Sequence, residues 1–222
     1  MSIIAIIQSR MTSERYPGKM LAPFLGKPVI AHVVDKIRIS KVNPKIILAT
    51  SENHTDDPLV LYAKYLGIEV VRGSHDDVFG RFISALKKFK CDAFFRVCGD
   101  SPLLLPSLFD KAVSIFSQAQ YDLVTNVFPK TFPDGMSIEL IKTQTFIELE
   151  KKIENKKDQE HITQYFYSKN KEFKIHNIEC SKPFDSNLKL TLDKLEDLKK
   201  LEEWDQNRNE DYEKIFPITE KQ

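Results

Sequence analysis

Apolar positions along this chain fall either in short unbroken runs or in stripes of helical spacing. Ile3 to Ile7 form a run that reads as a buried strand, and it stops abruptly at a polar loop. Gly26-Lys27-Pro28 then opens a helix with Pro28 in its first turn and Val29, Ile30, Val33, Val34 and Ile37 on one face. Lys45 to Thr50 predict a second buried strand. The polar stretch Ser51 to Pro58 leads into a helix carrying Leu59, Val60, Ala63 and Leu66, which Gly67 ends. Ile68 to Val71 predict a third strand. A helix is expected from Ser74 onward, with Asp76 and Asp77 complementing the dipole of its first turn and Phe82, Ala85, Leu86 and Phe89 buried. Ala93 to Cys98 predict a fourth strand, ending in Gly99-Asp100-Ser101-Pro102.

Strand and helix thus alternate at roughly twenty-five-residue intervals, the rhythm of βαβ units and a parallel sheet with helices on both faces. A helix at 107–116 and a strand at 121–125 continue the pattern, which breaks at Asn126. Phe128 to Gly135 carry a Pro-Asp-Gly turn, Ile138 to Ile141 predict a short strand, and helices are expected at 144–153 and 158–168. Phe173 to Ile178 alternate as a half-exposed antiparallel strand would. The whole of 127–185 therefore reads as an excursion from the main sheet. Leu188 to Asp193 predict a last strand, followed by a helix with Leu195, Leu198, Leu201 and Trp204. The tail 205–222 is polar apart from Ile215 and Phe216.

A length of 222 residues with 41% hydrophobic content suits one domain spanning 1–222 with a sizeable core. A net charge of +1 offers no field for nucleic acid, so any basic site must be local. The three cysteines form no CxxC pair, and no leader-like segment or membrane-length run is present, which points to a reducing cytoplasm.

Candidate chemistry collects at strand ends. Arg10, Arg15 and Lys19 follow the first strand and precede a helix, as phosphate loops do, in a loop that is neither a Walker A nor a GxGxxG turn. Their alternative is a solvated basic surface. Only Gly18 offers close backbone approach, so side chains must carry the contact. Asp100 and Asp193 end strands at the same expected edge, where they could hold Mg²⁺ against a phosphate or else merely cap a turn and a helix. Glu139, Glu160 and His161 are candidates for an acceptor sugar, against ordinary surface roles. Thr50 and Ser51 stand where a base could be read, and Asp77 either caps its helix or touches the nucleotide. His32 is expected to pack among apolar neighbours, and His54, His75 and His176 show no metal-ligand spacing.

Gln8-Ser-Arg-Met-Thr-Ser-Glu-Arg-Tyr-Pro-Gly-Lys19 resembles the signature loop of the sugar cytidylyltransferases that make CMP-Kdo and CMP-sialic-type sugars, most of all the SpsF-like branch of spore coat polysaccharide biosynthesis. Gly-Ser-x-Asp-Asp-Val-Phe-Gly-Arg81, Arg-Val-Cys-Gly-Asp-Ser-Pro-Leu103, Phe-Pro-Asp-Gly-Met-Ser-Ile-Glu139, Gln-Glu-His-Ile-Thr163 and Leu-Thr-Leu-Asp-Lys-Leu-Glu-Asp197 follow in that branch's order. Thr12 stands where the branch usually has glycine, and Ser137 where it has aspartate. The resemblance implies a Rossmann-like α/β nucleotidyltransferase fold with a mostly parallel mixed sheet, helices on both faces and a small antiparallel excursion that dimerises.

It also implies transfer of CMP from CTP to a sugar, an acidic 2-keto-3-deoxy or related one, with pyrophosphate released for surface glycan synthesis. In that reading Arg15 and Lys19 bind the triphosphate with Asp100 beside them, Asp100 and Asp193 hold Mg²⁺, and Gln8, Ser9, Arg10, Thr50, Ser51, Asp77 and Arg81 line the nucleotide. No nucleic acid or membrane partner is expected. Two other readings are a nucleotide-sugar-consuming glycosyltransferase, which would release a nucleotide and no pyrophosphate, and a non-catalytic nucleotide-binding partner module.

Overall fold

The computed structural model describes residues 1–153, 156–185 and 187–219. Positions 154–155 of the expected excursion and the last three residues of the tail lie outside them. Seven strands form one mixed sheet: β1 (Ile3–Gln8), β4 (Lys45–Ser51), β5 (Glu69–Gly73), β6 (Ala93–Cys98), β7 (Leu123–Thr125), β8 (Glu139–Lys142) and β9 (Ile175–Asn177), in the spatial order β5-β4-β1-β6-β8-β7-β9. Pairings among β5, β4, β1 and β6 are parallel, β8 runs antiparallel to both of its neighbours, and β9 is parallel to β7. Two further strands, β2 (Pro23–Phe24) and β3 (Lys27–Pro28), make a small antiparallel ribbon.

The unbroken apolar runs are central strands because both of their faces are covered. Ala5, Ile7, Leu48 and Phe95 face α1 (Val29–Ile39), α2 (Asp57–Tyr65), α4 (Pro106–Gln118) and α8 (Leu195–Asn207), whereas Ile4, Ile6, Ile47 and Phe94 face α3 (Val78–Lys88), α5 (Thr143–Glu148) and α7 (Gln164–Ser168). Successive side chains on a strand point to opposite faces, so each run feeds both layers.

Several boundaries differ from the sequence reading. Pro28 precedes α1 with extended backbone and pairs in the ribbon, so it is not in the helix's first turn. Helix α3 starts only at Val78, because Asp77 accepts the Gly80 N–H at 2.7 Å as its N-cap and leaves no acid in the first turn. The helix expected at 158–168 is two helices, α6 (Lys156–Glu160) and α7, with His161 to Thr163 between them.

The stretch 127–185 abandons the strand-helix rhythm without leaving the sheet. Strand β8 inserts between β6 and β7, and β9 is a parallel edge strand, so the expected antiparallel excursion is here an extension of the main sheet. Residues 188–193 form no ladder. Leu190 N–H bonds the Asp134 carbonyl at 2.7 Å and Leu192 N–H that of Asp100 at 2.9 Å, while Leu190 and Leu192 are buried. Alternating apolar residues thus reflect a segment packed over loops, which gives the same period as a strand. Gly135, at φ 98°, passes so close that a Cβ there would sit 2.2 Å from the Leu190 carbonyl oxygen. The tail is less polar in effect than in composition: α9 (Tyr212–Ile215) buries Tyr212, and Phe216 joins the core. His32 packs edge-on against Phe24, as expected, with Nε2 2.6 Å from the Phe24 carbonyl oxygen.

Candidate active site

After β1 the chain crosses to β4 and β5 on one side, then returns to place β6 on the other side of β1. The C-terminal ends of β1 and β6 therefore flank the switch point where open α/β sheets bind ligands. A cleft of about 420 Å³ opens there. It collects ten residues the sequence analysis singled out: Gln8, Ser9, Arg10, Arg15, Lys19, Arg81, Asp100, Glu160, His161 and Asp193. Gly99 is required by close approach, since a Cβ at that position would lie 2.7 Å from Ser9 Oγ.

Lys19 is the centre of one wall. Its nearly buried ammonium donates to Asp100 Oδ2 at 2.7 Å and to the Leu192 carbonyl at 2.7 Å, with Asp193 Oδ1 at 3.4 Å. Arg15, on the same loop, reaches Asp193 Oδ1 at 2.8 Å, and Lys189 reaches its Oδ2 at 2.7 Å. Burial alone would raise the Asp193 carboxyl, but Lys189, Lys19 and Arg15 outweigh it and hold the group below the usual range. Asp193 is aimed by Asp197, whose Oδ2 accepts the backbone N–H groups of Asp193 and Lys194. The anion loop itself is closed by Gly18 N–H on the Met11 carbonyl at 2.8 Å, so that donor faces inward.

Two buried side-chain donors lack a partner among the described residues, Ser9 Oγ and Arg81 Nε, and both residues line this cleft. Buried polar atoms are nearly always satisfied, so two orphans in one cleft point to a ligand that accepts hydrogen bonds. Burial and then the nearby Arg10 lower the Arg81 guanidinium's affinity for its proton, which makes an anion between the two arginines favourable. Among the described residues no group of three or more His, Cys, Asp or Glu is placed to hold a metal. Asp100 and Asp193, two carboxylates turned on one ammonium, nevertheless fit Mg²⁺ carried on a polyphosphate, because that ion takes one or two carboxylates and completes its shell with phosphate oxygens and water.

Three expected nucleotide residues are placed elsewhere. Thr50 and Ser51 are fully buried, and both hydroxyls donate to Asp56 Oδ2, at 2.8 and 2.5 Å, rather than facing the cleft. Asp77 spends a carboxylate oxygen on its helix cap. Glu139 lines two further hollows that adjoin the cleft, which Arg96 connects because it lines all three.

Arg96 was missed because it lies inside an apolar strand; a lone cation in such a run was the available signal. Sheet register puts it directly opposite Glu139, and their side chains pair at 2.7 Å while Tyr167 donates to the other Glu139 oxygen at 2.5 Å. Burial and the Glu139 carboxylate push the Tyr167 phenol well above its ordinary value, so it remains a donor. Burial also raises the Cys98 thiol, so this cysteine, which lines the cleft, stays protonated and is a poor nucleophile.

Over residues 4–220 the sequence matches the cytidylyltransferase family. It is 30% identical to the spore coat polysaccharide biosynthesis protein SpsF of Bacillus subtilis over 203 residues, covering 88% of this chain and 82% of SpsF. It is 29% identical to the 3-deoxy-manno-octulosonate cytidylyltransferase of Geobacter metallireducens over 114 residues, 51% of this chain and 44% of that protein. Among solved structures, a cytidylyltransferase from Leptospira borgpetersenii superposes with a TM-score of 0.87 at 31% identity, over 91% of this chain and 85% of that one.

Proposed function

This chain belongs to the cytidylyltransferase family, and on that premise we propose that it moves CMP from CTP to a sugar, releasing pyrophosphate, in surface polysaccharide synthesis. The observation that carries the reading is Lys19 held between Asp100 and Asp193 on the wall of a cleft that also presents Arg10, Arg15 and Arg81. In the reaction a sugar hydroxyl forms a new bond to the α-phosphorus as the α–β anhydride bond breaks; the hydroxyl proton passes to water and the electron pair leaves with pyrophosphate.

Such a displacement requires in-line positioning and neutralisation of the leaving group. Lys19 and Arg15 turn from the carboxylates to the β- and γ-phosphates, while Arg10, Arg81 and Ser9 grip the remaining oxygens. Asp100 and Asp193 would hold Mg²⁺, which supplies charge stabilisation at the phosphoryl oxygens when bound. The acceptor enters on the far side of Asp100, where Arg96, Ser137, Glu139 and Lys189 line the adjoining hollow and Glu160 and His161 stand at the cleft. Likeness to the octulosonate enzyme favours a 2-keto-3-deoxy or related acidic sugar.

Pyrophosphate release measured across the four nucleoside triphosphates and a panel of such sugars tests this. Release is expected only with CTP, an acceptor and Mg²⁺, and should stop on chelation; release of free nucleotide without pyrophosphate would identify a glycosyltransferase instead. The reading includes a cytoplasmic homodimer joined through 127–185. Sedimentation velocity at micromolar concentration should then show a species of twice the 25.7 kDa chain mass, and a clean monomer would remove that part of the proposal.

A further inference from the structure

Thr12, which stands where the SpsF-like branch usually has glycine, touches His75. Thr12 lies in the anion loop and His75 in the turn before α3, and Thr12 Oγ1 is 2.8 Å from His75 Nε2. The same ring nitrogen lies 3.3 Å from Arg10 Nη1, which also reaches the His75 carbonyl at 3.5 Å. On the other side of the ring, Nδ1 is 2.8 Å from Asp76 Oδ1. The carbonyl of His75 accepts in addition from Arg81 Nη1 at 3.0 Å. One residue that does not itself line the cleft thus touches both Arg10 and Arg81, which do.

These neighbours set the hydrogen on the ring. A carboxylate only accepts, so Nδ1 donates to Asp76; a guanidinium only donates, so Nε2 keeps its lone pair towards Arg10 and Thr12. An arginine on a loop otherwise samples many rotamers, and that freedom must be lost when it grips a phosphate. Holding the guanidinium in place beforehand lowers that cost.

We propose that His75 is the positioning residue for Arg10 in nucleotide binding, its Nε2 acting as a fixed acceptor that orders the guanidinium before the triphosphate arrives. This rests on the nucleotide reading of the cleft. It predicts an effect confined to binding, because the ring orders a contact made equally in the ground and transition states.

The test is calorimetric titration of the full chain with CTP, together with kcat at saturating substrate. His75→Ala should weaken CTP binding about tenfold, the worth of roughly one hydrogen bond, and leave kcat within about twofold. His75→Gln, which offers Oε1 as an acceptor near the same place, should restore most of the affinity. Equal CTP affinity in His75→Ala and the parent overturns the proposal, as does a glutamine variant no better than alanine, since either removes the fixed acceptor as the cause. A parent protein that does not bind CTP at all overturns the nucleotide reading itself, and with it this role.

Discussion

Replacing Lys19 with methionine should lower CTP-dependent pyrophosphate release about 100- to 1,000-fold, the scale of losing one preorganised cation at a developing negative charge. Methionine keeps most of the unbranched stem, so the change isolates the ammonium. In the unliganded protein that ammonium donates to Asp100 and to the Leu192 carbonyl and stands 3.4 Å from Asp193 Oδ1. Without it Asp193 retains Arg15 and Lys189, whereas Asp100 loses its nearest cation.

Two consequences can be measured apart from turnover. The variant should be destabilised by about 2–4 kcal/mol in urea, since a part-buried carboxylate is left uncompensated. Divalent cation should then recover part of that loss: Mn²⁺ alone should raise the melting temperature of Lys19→Met and leave the parent unchanged, because in the parent the ammonium already occupies the space between the carboxylates. A parent stabilised by Mn²⁺ as strongly as the variant would show that Lys19 and the metal do not compete.

Asp56→Ala should be the most destabilising single change at the edge of the site, costing about 3–5 kcal/mol by denaturant titration. The Asp56 side chain is fully buried and accepts four hydrogen bonds: Met11 N–H at 2.7 Å, Thr50 Oγ1 at 2.8 Å, Ser51 N–H at 3.0 Å and Ser51 Oγ at 2.5 Å. Alanine strands all four donors. The Met11 bond ties the anion loop to the end of β4, so residual enzyme should show a larger rise in KM for CTP than fall in kcat.

Acid should act through the same group. Burial by itself raises this carboxyl, but donation from Ser51, Met11 and Thr50 outweighs it and holds Asp56 below its ordinary 3.8. A folded-state value below the unfolded one gives stability that is complete above the unfolded value and is lost as pH falls through the folded one. Asp193 and Asp197 are lowered likewise. Stability should therefore hold from pH 7 to about 5 and decline below about 4. Asp56→Asn should flatten that decline, and an unchanged acid limb would mean that other carboxylates govern it.

The chain alone revealed the alternating strand and helix order, because buried parallel strands must be apolar on both faces and covering helices on one. It also determined which loops meet: residues following the ends of β1 and β6 share one edge in any right-handed βαβ arrangement, which is why the grouping of Arg10, Arg15, Lys19 and Asp100 is legible in the chain itself. What it could not decide was the direction of a polar side chain at that edge. Thr50 and Ser51 look free to read a base, yet both turn inward because Asp56, five or six residues further on, is buried against them.

Longer separations hid more. Arg96 gains its meaning from Glu139, a partner supplied by an antiparallel strand whose place between β6 and β7 no local pattern reveals. Residues 188–193 show the strand period and still form no ladder, since packing over loops buries alternate residues just as a sheet does. Periodicity records which side of a segment is covered, and end-of-strand position records which residues share an edge; both are local and were legible. Register, side-chain direction and pairing across tens of residues depend on where the whole chain closes, and only the tertiary structure decided them.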